Sequence, residues 1–173
     1  MKNIFNKNNR SLNQLGFSVI EVLVACMIMS VVTLALMSAA TKGIELSGKA
    51  LKQVQAGLLA EEGAEAVKSI RDNGWTTIAN LSVETDYYLT FDTNSNAWLL
   101  VDSSSVTNPI TPIDGIFTRK IVLSEVYRDN NNDDISTAGT LDDGTKKVSV
   151  LVSWTHQGGV VSRNIIFYLA NIF

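Results

Sequence analysis

The sequence predicts an α+β fold: one long N-terminal helix, membrane-spanning in its first half and amphipathic in its second, packed on a small antiparallel sheet of four or five strands. Three observations carry this prediction. An unbroken apolar run lies near the start, a proline-free stretch of helical periodicity follows it, and the C-terminal region is built of short alternating segments split by polar turns. With 46% hydrophobic and 18% charged residues among 173, the chain is too apolar for disorder and long enough for one ordinary domain plus an appendage.

The apolar run, Phe17 to Ala40, holds 24 residues with Glu21 as its only charge. As a helix it spans ~36 Å, enough to cross a bilayer. In residues 41–73, Ile44, Leu51, Val54, Leu58, Val67 and Ile70 recur at intervals that predict an amphipathic helix, and Asn73-Gly74 supplies the stop. Together the two runs predict a single helix over 17–73, about 85 Å long, with Gly43, Gly48, Gly57 and Gly63 as places where it would bend.

Residues 74–173 read as β. Tyr87 to Phe91 and Trp98 to Val101 are strands joined by the turn Asp92-Thr93-Asn94-Ser95-Asn96. Phe117 to Tyr127 is a further strand, with Phe117, Ile121, Leu123 and Tyr127 on one parity and Arg119 and Glu125 interrupting it. Val148, Val150, Val152 and Trp154 mark one face of a strand over Lys147 to Thr155, which turns at Gly158-Gly159 into Val160 to Leu169. Asp102 to Gly115 and Asp129 to Gly144 are expected to be polar loops. Trp75, Trp98 and Trp154 are expected in the core or between sheet and helix.

Charge excludes one broad class of partner. Residues 74–173 hold eleven acids and six bases, so no broad phosphate-binding surface and no nucleic-acid partner is expected. Enzymatic chemistry also finds little material. His156 is the only histidine and sits beside a turn, where an exposed surface role is expected, and the only cysteine, Cys26, lies in the apolar run, where a small buried apolar residue is the default. No catalytic residues and no cofactor are assigned. Asp129, Asn131 and Asp133 have the alternate spacing of a calcium loop with Asp142 and Asp143 nearby, but Asp134 stands where an EF-hand needs glycine and Thr140 where it needs glutamate. Calcium is therefore a minor alternative to a plain solvated turn.

The stretch Gly16-Phe17-Ser18-Val19-Ile20-Glu21-Val22-Leu23-Val24-Ala25 follows a basic, polar leader containing Lys2, Lys7 and Arg10 and no acid. It resembles the cleavage and methylation segment of type IV pilins and type II secretion pseudopilins, and Ala60 to Trp75 looks like the stem end of minor pilin-like proteins. The resemblance implies cutting after Gly16 by prepilin peptidase, methylation of the new Phe17 amino terminus, and an assembly role for Glu21. It divides the chain into a leader (1–16), a membrane and assembly half-helix (17–40), an amphipathic half (41–73) and an extracytoplasmic β-rich domain (74–173). The implied partners are the peptidase, other pilin or pseudopilin subunits, and membrane lipid before assembly. The implied location is the cytoplasmic membrane in a single pass, leader inside, then a pilus or pseudopilus. Loss of the leader removes its three bases, so the net charge falls from -3 to -6.

Elementary electrostatics gives Glu21 a reason. A carboxylate at the centre of a membrane helix costs about 2.5–3.5 kcal/mol on insertion scales, so it calls for a cationic partner. Cleavage turns the Phe17 peptide nitrogen into an ammonium, which methylation leaves charged, and a neighbouring subunit's ammonium then neutralises Glu21. A second role for Glu21 is local, because Ser18-x-x-Glu21 fits a capping box. Two other processing routes compete. Leu23-Val24-Ala25-Cys26 looks like a lipobox, and Ser38-Ala39-Ala40 would suit signal peptidase. The first is opposed by the apolar residues after Cys26, the second by the length and the embedded acid of the run. A binding module anchored in the membrane or at a filament tip, using the two polar loops for adhesion or calcium-dependent recognition, is the alternative function.

Overall fold

The computed structural model describes residues 16, 18–104, 112–130 and 133–172. The chain divides into two compact units, one up to Leu46 and one from Ser47 onward. Helix α1 (Val19–Asp72) contributes to both. In the first unit it is proline-free and rich in apolar side chains, and every described residue from 18 to 44 is exposed. It is the one helix among the described residues long and apolar enough to cross a membrane.

The second unit is a helix-on-sheet layer. After α1 come a short helix α2 (Trp75–Ala79), then β1 (Tyr87–Asp92), β2 (Ala97–Asp102), β3 (Thr118–Arg128), β4 (Ile135–Ser136), β5 (Thr140–His156) and β6 (Gly159–Ala170). The sheet is antiparallel in the order β2-β1-β3-β5-β6, with β4 paired to β3. Alternation sets its faces. Ile121 and Leu123 of β3, Val148, Val150, Val152 and Trp154 of β5 and Leu169 of β6 are all buried against the helix side. Phe117 meets Trp154 edge to face at 5.8 Å. The long hairpin closes through Gln157 (φ 50) and Gly158 (φ 79), both left-handed, while Gly159 already pairs with His156. The turn thus centres one residue earlier than Gly158-Gly159, and His156 is half-buried rather than exposed. Two positive φ values in a two-residue loop match the right-handed twist of the strands.

The helix face that meets the sheet differs from the expected one. Ala56, Ala60, Gly63, Ala64, Val67 and Ile70 are buried, whereas Ile44, Leu51, Val54 and Leu58 are 60–74% exposed. Small side chains win the sheet-facing positions because the backbones approach closely. A Cβ on Gly63 would stand 2.8 Å from Val150 Cγ1 and 3.0 Å from Arg119 Cδ. Only Val67 and Ile70 of the six periodic positions face the sheet.

Arg119 explains the first break in the β3 alternation. It occupies an inward position, 8% exposed, and its Nη1 donates to the Leu59 carbonyl and to Glu62 Oε2, each at 2.9 Å. The guanidinium also lies over the Trp98 ring, 6.0 Å from its centroid. A buried cation is thus satisfied by helix and sheet together. The second break has another cause: a β-bulge between Glu125 and Tyr127 shifts the register, so Val126 turns inward and Tyr127 does not.

The loop expected over Asp129 to Gly144 is shorter. β5 already begins at Thr140 and pairs Thr140 and Leu141 with Arg128 and Tyr127, while Ile135–Ser136 form β4. Leu141-Asp142-Asp143-Gly144 has no buried face to impose an apolar alternation, so nothing in its composition marks it as strand. Arg128 Nε holds it by donating to Asp142 Oδ2 at 2.6 Å. Within the loop over Asp102 to Gly115, residues 105–111 lie outside the described residues. Trp154 is buried, and Trp75 and Trp98 pack half-buried against the core, as expected.

Candidate functional site

The start of α1 is built from its backbone. The Ser18 carbonyl accepts hydrogen bonds from the N–H groups of Glu21 at 2.9 Å and Val22 at 3.2 Å, which sets the first turn. Gly16 is exposed just before it, and Phe17 and residues 1–15 lie outside the described residues. An acid in this first turn suits the positive end of the helix dipole.

The Glu21 side chain is exposed and, among the described residues, forms no ion pair. The next charge along the chain is Lys42. Beside Glu21 the helix surface is a shallow depression lined by Val22, Ala25, Cys26 and Met29. Ala25 and Cys26 are small and lie one turn on, so the carboxylate stands next to open room rather than against bulk. Cys26 is exposed here, not buried.

Three hydroxyls, two within the run and one just past it, are closed onto the helix backbone. Ser30, Thr33 and Thr41 donate to the carbonyls of Cys26, Met29 and Met37 at 2.7, 2.7 and 2.6 Å. Back-bonding of this kind hides a hydroxyl from an apolar surrounding. Glu21 is the one charged residue of the run, and among the described residues no ion pair meets it.

At the acidic loop, Asp129 N–H donates to the Asp134 carbonyl at 2.8 Å and Asp133 N–H to the Asp129 carbonyl at 3.0 Å. Arg128 binds Asp142 and also donates from Nη1 to the Asp133 carbonyl at 2.9 Å. Its hydrogen bond, followed by one from Thr145, holds the Asp142 carboxyl below the usual carboxylate range. Among the described residues no three of His, Cys, Asp or Glu stand together as a metal-binding group, and Asn131 lies outside them.

What reading the sequence alone missed is the outward helix face: Leu51, Val54 and Leu58 belong to the exposed surface, and the signal was the row of small residues at 56, 60, 63 and 64 that marks the other side.

The chain is of the α+β class, with an N-terminal helix that carries an exposed, membrane-length apolar run with a single acid in its first turn, followed by a sheet domain. Residues 11–37 match the family model described as the prokaryotic N-terminal methylation motif, so the chain carries the signal segment of type IV pilins and pseudopilins. No curated protein and no solved structure matches the chain. The motif match spans Gly16, Phe17 and Glu21.

Proposed function

We propose that the chain is a type IV pilin-like structural subunit, a minor pilin or pseudopilin, cut after Gly16 by prepilin peptidase, methylated at Phe17 and assembled through its N-terminal helix. Before assembly the run over 17–40 lies in the cytoplasmic membrane with the leader on the cytoplasmic side and the sheet domain outside. In the filament the same run packs against other subunits.

The observation that carries this reading is the lone charge of Glu21 in a run exposed at every described residue, within the matched methylation segment. Cleavage places a new ammonium at Phe17, and a neighbouring subunit's ammonium supplies the charge that Glu21 lacks. Processing then precedes assembly because the cation does not exist in the precursor.

Glu21→Gln tests this. Glutamine keeps a capping-box side chain and removes the charge, so the variant is expected to be cut normally yet enter filaments at least tenfold less than the parent chain, read by immunoblot of sheared filaments. Incorporation at the parental level overturns the salt-bridge role.

A further inference from the structure

We propose that a notch on the outer face of the sheet, bounded by Glu84, the β-bulge of β3 and the short strand β4, is a saccharide-binding site. β3 pairs with β1 at Ile121 and with β4 only from Tyr127 onward. Between these points Glu84 approaches the strand, and its N–H donates to the Leu123 carbonyl at 2.8 Å. Glu84 does so with φ 55, a left-handed conformation uncommon for a glutamate. The resulting cleft measures about 460 Å³, within the range of small-molecule sites.

Part of the lining is a single cross-strand row. Ser124 of β3 pairs with Lys147 of β5, and Lys147 pairs with Tyr168 of β6, so the three side chains lie side by side on the face away from α1. Tyr168 is 47% exposed and offers an aromatic surface. Glu125 accepts from the Tyr127 hydroxyl at 2.7 Å, which fixes the carboxylate and pushes the phenol above its ordinary value, so Tyr127 stays protonated. Among the described residues neither Glu84 nor Lys147 forms an ion pair.

The mixture of groups selects the ligand chemistry. A cation entering the cleft meets Lys147, and an anion meets Glu84 and Glu125. A neutral hexopyranose avoids both conflicts. Its hydroxyls donate to the carboxylates and accept from the Lys147 ammonium, while its C–H face lies on a tyrosine ring, using the apolar body and the polar rim at once. Every lining residue belongs to the second unit, outside the apolar run over 17–40.

The test is saturation-transfer NMR on the full chain in a sugar-free detergent, with methyl glycosides of glucose, galactose, N-acetylglucosamine and N-acetylgalactosamine as probes, and N-acetylneuraminic acid and N-acetyl-lysine methylamide as charged controls. At least one hexopyranoside is expected to receive saturation at its ring protons. That signal should fall at least fivefold in Tyr168→Ala and in Lys147→Met, and persist in Tyr168→Phe. The two reducing substitutions act independently, so Lys147→Met keeps the test decisive if Tyr168→Ala unfolds. No transfer to any hexopyranoside, transfer to a charged control alone, or a signal that survives both substitutions overturns the proposal.

Discussion

The two parts of α1 are apolar in different ways. Residues 19–37 carry valine, leucine, isoleucine and methionine, and all are exposed; the buried positions of residues 56–70 are mostly alanine and glycine. The difference shows what each surface is made to meet. Bulky apolar side chains suit a lipid surrounding, whereas alanine and glycine let a helix backbone settle onto a sheet that already carries Val150 and Arg119 on its inner face. Side-chain size, not hydrophobicity, separates the two.

The sharpest way to break this contrast is to exchange the sizes. Gly63→Leu places bulk where a Cβ alone would already stand 2.8 Å from Val150, and is expected to destabilise the sheet unit by about 1–3 kcal/mol, read as a lower urea midpoint of tryptophan fluorescence. Leu58→Ala removes apolar side chain from the same helix yet is expected to change stability by no more than about 0.5 kcal/mol, because the side chain is 60% exposed. Equal losses from the two substitutions would contradict the assignment of faces.

A smaller effect separates the polar end of the sheet from its core. Asp142 is held below its ordinary value of 3.8 by Arg128, so its contribution is present above that value and is lost as the pH falls through the lower folded value. Arg128→Gln is therefore expected to flatten the acid-side loss of stability below pH 3.8 while leaving the neutral-pH fold intact. The pair is near the surface, so the difference is modest and shrinks with added salt.

Much of this arrangement is legible in the residues, and the exceptions share a cause. The helix was legible from an unbroken, proline-free apolar and helix-forming stretch, and the hairpin of β5 and β6 from alternation, because β5 has one buried face that imposes it. The helix face was misread because large apolar residues draw attention away from the alanines that touch the sheet. Thr140 to Gly144 escaped notice because both faces of that strand segment tolerate polar residues. Arg119 looked like an interruption because its partners, Leu59 and Glu62, lie far off in sequence. At the candidate site, Gly16, Phe17 and Glu21 could be named from local pattern alone. The cation for Glu21 could not be located in the chain, since the proposed partner is created by cutting and supplied by a neighbour. The outer-face notch had no sequence signature, being assembled from Glu84, β3, β4, β5 and β6 by pairing and a bulge.

If processing creates the charge that Glu21 awaits, mass spectrometry of the mature amino terminus finds a chain that begins at Phe17, one methyl group heavier than the unmodified residue. A start at Met1, at Cys26 with lipid attached, or at Thr41 overturns this.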